Sequence, residues 1–216
     1  MSETQKIVET IARYKARGWL PGGNGALALL CPITESSKKV YITPSNVRSL
    51  SQNDLFMLRD TYGAQDVQSP LNKEDGTMTE WAPLFFHILQ VYPASKAVVQ
   101  VATKWTSLAA RSALLTWKNS ATNFPNVFRL SHWPALKKIT DRTELEIPII
   151  NYGNNAVTEG KAMLSVYPDT FAILVRDYGA IVWGESLNDV EAKIEVLEHL
   201  SELQIYSNSL LSNKDL

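Results

Sequence analysis

Residues 167–187 read YPDTFAILVRDYGAIVWGESL, two β-branched apolar runs set around Asp177-Tyr178-Gly179. Phe171 to Arg176 and Ala180 to Trp183 are each short enough for a buried strand, and the polar break between them predicts a hairpin. Beyond it, Asp189 to Leu211 carries Val190, Ile194, Leu197, Leu200 and Leu203 on one broad face, the spacing of an amphipathic helix. A hairpin that hands over to a long helix implies strands and helices packed in layers.

Working outward, the alternation persists. Residues 3–17 have apolar positions at helical spacing after Ser2, a natural N-cap, and stop at Gly18. Pro21-Gly22-Gly23-Asn24-Gly25 is a turn, followed by an apolar run from Ala26 to Cys31. Lys39 to Thr43 alternates as a second strand after a polar turn at Glu35 to Lys38, which predicts another hairpin. A short strand is expected around Leu55 to Leu58 and a polar surface excursion over 63–79. A helix is expected from Pro83 to Tyr92, a buried strand over Ala97 to Ala102, a helix over Thr106 to Trp117, and a strand over Ile147 to Asn151. The class is therefore α/β, as one domain over 1–216 with a mixed sheet.

Composition excludes several partners. The chain has 216 residues, 45% of them hydrophobic and 20% charged, and a net charge of −1 from 21 basic and 22 acidic residues. Nucleic acid and anionic membranes both call for clustered Lys and Arg, which this balance does not offer. No apolar run approaches the ~20 residues that span a bilayer, and Met1 to Gly18 lacks the uncharged core of a signal peptide. Cys31 is the single cysteine, so neither an internal disulfide nor a thiolate cluster can form. A cytoplasmic location is the expectation.

Several segments, in order, resemble the class II aldolase/adducin superfamily, nearest to its methylthioribulose-1-phosphate dehydratase branch. They are RGWLPGGNGALAL (17–29), VYITPSNV (40–47), DLFML (54–58), APLFFHILQVYP (82–93), AVV (97–99), FRLSH (128–132), IPIIN (147–151) and the 167–187 stretch. The resemblance implies a three-layer α/β/α domain around a mixed, largely antiparallel sheet, assembled as a homo-oligomer such as a tetramer. It also implies a sugar phosphate held by a glycine turn and a Thr/Ser-Pro-Ser-Gly turn, a zinc ion on three histidines, and a carboxylate that moves a proton.

The chain departs from that pattern at its chemical centre. Gln100 and Ala102 stand where a His-Thr-His-Ser motif would supply two imidazoles, and Tyr178 where the third belongs. An amide, a methyl group and a neutral phenol make a poor zinc set, so no metal and no cofactor is expected. Pro134 falls at the dehydratase carboxylate and Trp81 at the aldolase one, with Glu80 beside it. Of the phosphate turns, Gly22, Gly23, Asn24, Gly25, Thr43 and Ser45 match, while Asn46 replaces a glycine and Ser49, next to Arg48, a basic residue. These form either an anion site or turns kept for the fold.

The histidines, His87, His132 and His199, lie far apart in sequence. His132 borders the family's pocket and is a candidate lone base. Trp81, Trp133 and Tyr178 either fill the old pocket with apolar surface or line a cleft for a flatter ligand. The expected function is a pseudoenzyme, an oligomeric scaffold that binds a protein partner or an active paralogue. The alternative is a metal-independent lyase, dehydratase or isomerase acting on a sugar phosphate such as methylthioribulose 1-phosphate, with His132, Tyr178 and Glu80 as candidates. A third reading is a small-ligand sensor built on the anion turns.

Overall fold

A computed structural model describes residues 1–32, 38–59, 67–68, 77–117 and 127–212. The chain divides into two compact units, residues 1–102 with 183–190 and residues 103–182 with 191–216.

In the first unit, helix α1 spans Glu3–Ala16. Ser2 caps it by accepting from the Gln5 amide at 3.2 Å, and Arg13 and Lys15 sit in the last turn, where the helix dipole favours cations. Gly18, at φ +73°, reverses the chain. The Gly18 amide then donates to the Lys15 carbonyl and the Trp19 amide to that of Tyr14, both at 2.9 Å. This is the Schellman arrangement, and the Tyr14 and Trp19 rings complete it at 5.0 Å.

Strands β1 (Ala26–Pro32), β2 (Lys38–Ile42), β3 (Phe56–Arg59), β4 (Val67–Gln68) and β5 (Ala97–Val101) lie in the order β4-β3-β2-β1-β5, every pair antiparallel. Their register sets Ala28 opposite Ile42 and Ala26 opposite Gln100. All of β5 is buried, as expected of a strand covered on both faces. Helix α2 (Ala82–Val91) buries Leu84, Phe85, Ile88 and Leu89 and ends before Pro93.

In the second unit, β6 (Val127–Ser131), β7 (Glu144–Ile150), β8 (Ala172–Val175) and β9 (Gly179–Gly184) run in the order β6-β7-β8-β9. β6–β7 and β8–β9 are antiparallel, whereas β7–β8 is parallel. A parallel pair needs a crossover, which helix α4 (Ala156–Val166) provides. Helix α3 (Lys104–Trp117) also belongs to this unit, as does helix α5 (Leu187–Ser212) from Glu191 onward, its start up to Val190 lying in the first. The architecture is three-layer α/β with a mixed, largely antiparallel sheet.

The expected elements appear with ends moved by a few residues. α4 is the one helix the periodicity reading passes over. It buries Ala156, Gly160 and Leu164, a narrow and partly side-chain-free stripe that leaves little hydrophobic signal. The turn expected at Glu35 to Lys38 falls outside the described residues except for Lys38. Most of the 63–79 excursion does too, apart from β4 and residues 77–79, where Met78 bridges Pro44.

The start of α3 is closed from a distance. Glu198, on α5, accepts the Thr103 hydroxyl and the amides of Trp105 and Thr106, the last two at 3.1 and 3.2 Å. A carboxylate on the free amides of a helix start satisfies groups with no partner within the helix. Thr106 is fully buried, so water cannot substitute easily. Glu198→Ala is expected to destabilise the chain by about 2–3 kcal/mol, with Glu198→Gln recovering roughly half. Urea midpoints of the three proteins check this.

Candidate functional site

The matched turns of the first unit are stitched to each other. The glycine turn uses its own amides: Gly23 donates to the Leu20 carbonyl at 3.1 Å and Asn24 to that of Pro21 at 3.0 Å. Gly22 and Gly23 take φ of +67° and +83°. The Gly23 carbonyl in turn accepts the Val47 amide at 3.2 Å. A Cβ on Gly23 would fall 2.8 Å from Cβ and N of Arg48 and from Oδ1 of Asn46. One on Gly25 would fall 2.2 Å from a Leu20 methyl.

Of the six expected anion-binding residues, three are committed internally. The amides of Gly23 and Asn24 are used within the turn, and the buried Thr43 hydroxyl accepts the Leu27 amide at 3.0 Å. Ser45 remains exposed, its hydroxyl 3.2 Å from that of Thr77. Asn46 accepts the Arg48 amide at 2.8 Å through its side chain, and Lys15 reaches the Arg48 carbonyl at 2.6 Å. The cations Lys15 and Arg48 thus lie beside the turns.

Gln100 sits in β5 opposite Ala26 and is 1% exposed. Neither Oε1 nor Nε2 of its amide has a hydrogen-bond partner among the described residues. Ala102 follows the strand end and donates its amide to the Trp19 carbonyl at 2.9 Å. Trp81 is buried at the start of α2, and Glu80 just before it is exposed.

In the second unit, Tyr178 occupies the β8–β9 turn after Asp177, whose φ is +59°. Its ring stacks on Tyr152 at 4.5 Å and 10° between planes, and Asp177 pairs with Arg111 at 2.9 Å. Trp133 is half-buried and donates its indole N–H to Gln204 of α5 at 3.0 Å, while Pro134 opens a short 3-10 turn over Pro134–Lys138. Of Trp81, Trp133 and Tyr178, only Trp81 is buried, and the other two are held by different partners. Those partners, Tyr152 and Gln204, carry no signal of the pairing in the linear sequence.

His132 has φ +63°, and its side chain is 80% exposed with Nε2 3.5 Å from the Glu144 carboxylate. Nothing there excludes water from a proton transfer. His87 lies half-buried on α2, and His199 is exposed on α5.

The zinc ion of the resemblance can be tested against these donors. Gln100 offers one neutral amide oxygen, Ala102 offers none, and the Tyr178 ring is stacked. Zinc sites need neutral imidazoles, thiolates or carboxylates. Among the described residues, no group of three or more His, Cys, Asp or Glu comes close enough to hold a metal ion. These residues do not fit the metal.

The chain belongs to the class II aldolase and adducin N-terminal domain family, whose pattern matches residues 5–205. It is 28% identical to a protein of Trichoplax adhaerens named probable methylthioribulose-1-phosphate dehydratase, over 90% of this chain and 80% of that one. It is 27% identical to the methylthioribulose-1-phosphate dehydratase of Salmo salar, over 92% of this chain and 78% of that one. Among solved structures, an L-fuculose 1-phosphate aldolase superposes with a TM-score of 0.72 at 13% identity, covering 97% of this chain and 89% of that one. YgbL of Escherichia coli gives 0.70 at 19% identity, with 93% and 86% covered. No helix among the described residues is long and apolar enough to cross a membrane.

Proposed function

We propose that this chain is a class II aldolase-family protein without zinc-dependent lyase chemistry, a pseudoenzyme whose fold acts as an oligomeric scaffold. Its partner is a further copy of itself, in a tetramer, or an active paralogue, and its place is the cytoplasm. The observation that supports this is the donor set: a buried amide, a methyl group and a stacked phenol stand at the three imidazole positions. Elemental analysis of the purified protein is expected to find well under one zinc per chain, and incubation with methylthioribulose 1-phosphate to give no product above a protein-free blank. Turnover abolished by a chelator would overturn the reading.

A second reading is favoured by the relatives, which carry the dehydratase name over nearly the whole chain. In it the chain dehydrates or isomerises a sugar phosphate such as methylthioribulose 1-phosphate without metal, Ser45 and the glycine turn meeting the phosphate. Loss of water next to a carbonyl can run on general acid–base groups alone, each worth roughly 10²–10⁴ in rate. His132, Tyr178 and Glu80 are its candidates. Chelator-resistant turnover that falls in His132→Asn or Tyr178→Phe selects this reading over the first.

A further inference from the structure

We propose that the cavity at the end of β1, β2 and β5 remote from Gln100 is a separate binding site for a small amphipathic anion, a carboxylate or phosphate on a short apolar body. The strand register separates the two places. Lys96 precedes β5 and Gln100 lies four residues on, roughly 13 Å along an extended chain. Residues of α1, β1, β2 and the start of α5, all in the first unit, enclose about 530 Å³ there. That is the size of a small-molecule site, which typically holds roughly 300–1,000 Å³.

The floor is apolar: Leu29, Leu30 and Cys31 of β1 and Leu187 of α5, all buried. The Cys31 thiol belongs to that floor chemically as well. Burial pushes its pKa up to about 11; Glu3 pushes the same way, and Lys39 and Lys6 oppose it. The sulfur therefore stays protonated at neutral pH and acts as a small hydrophobe, not a nucleophile.

The rim selects charge. Glu3 pairs with Lys6 at 2.8 Å, and Glu9 accepts from the Gln5 side-chain Nε2 at 3.0 Å. Two further lysines line the cavity. The Lys39 ammonium lies 5.0 Å over the Tyr41 ring, and neither it nor Lys96 forms an ion pair among the described residues. Four basic side chains, Lys6, Arg13, Lys39 and Lys96, stand against three acids, Glu3, Glu9 and Glu185, which leaves one net positive charge. An apolar floor under a net positive rim fits a molecule with one anionic end.

Calorimetry on the full chain tests this with octanoate, octyl phosphate and octanol as probes. At least one of the two anions is expected to saturate a single site, with octanol at least about tenfold weaker, the worth of about 1.4 kcal/mol of charge recognition. The two anions separate carboxylate from phosphate preference. The double variant Lys39→Glu/Lys96→Glu, on exposed or half-buried side chains, is expected to lose at least about tenfold in anion affinity while keeping its thermal melt. Lys138→Glu, at an exposed lysine of the second unit outside the cavity, makes the same kind of charge change and is expected to bind as the parent does. Equal binding of octanol, unchanged affinity in the double variant, an equal loss in Lys138→Glu, or no saturable binding of either anion would each overturn the proposal. None of these outcomes depends on whether the family pocket is catalytic.

Discussion

If residues 100, 102 and 178 are the metal positions that the resemblance implies, replacing Gln100, Ala102 and Tyr178 together by histidine is expected to give a chain that holds a zinc ion tightly, where the parent is expected to hold none. Positions 100 and 102 lie two apart along and just past β5, so their side chains share a face, as two ligands of one ion must. Each imidazole supplies a strong neutral donor at about 2.0–2.1 Å, against the single weak oxygen present at Gln100. The change at residue 100 carries a further gain. A buried amide with neither polar atom paired costs about 1–3 kcal/mol, and metal coordination would satisfy its replacement. The cost falls at residue 178, where the stack on Tyr152 is lost. The gain in affinity is expected to exceed about a thousandfold, or roughly 4 kcal/mol. Competition with a chromophoric zinc chelator measures it. If the triple variant holds zinc no better than the parent, these are not the family's metal positions, and the main support for a pseudoenzyme is gone.

Gly23→Ala is expected to cost about 3 kcal/mol of folding stability, against about 1 kcal/mol for Gly22→Ala. Both glycines have positive φ, which charges any side chain about 1–2 kcal/mol. They differ in their surroundings. A methyl on Gly22 meets nothing within 4 Å, whereas one on Gly23 meets Arg48 Cβ, its backbone nitrogen and the Asn46 side chain at 2.8 Å. Relief requires the 43–48 turn to move, which strains the Val47 hydrogen bond to the Gly23 carbonyl. Urea unfolding of the two variants decides the matter. Equal losses would mean that the two turns are not packed as described.

Much of the fold is legible along the chain because short-range physics writes it. Ser2 and Gly18 bracket α1 by capping and left-handed backbone, and Phe171 to Trp183 announces its hairpin through β-branched runs around a polar break. α4 escapes because its buried stripe is Ala156, Gly160 and Leu164, whose burial depends on how closely β7 and β8 allow a helix to approach. The candidate site was half-legible. Residue identity alone shows glutamine, alanine and tyrosine at 100, 102 and 178, whereas the fate of the aromatics does not follow from it: Trp81 is buried, Tyr178 lies against Tyr152 and Trp133 is bonded to Gln204.

The amino-acid sequence by itself determined the layered α/β class, the family and the absence of histidine at residues 100, 102 and 178, since residue type, local pattern and motif order carry those facts. Only the tertiary structure decided that the Gln100 amide is buried without a partner among the described residues, that Glu198 closes α3, and that Lys39 and Lys96 line a cavity at the end of β1, β2 and β5 remote from Gln100. Each of these is a meeting of groups distant along the chain, and such meetings are set by packing, which no local pattern encodes.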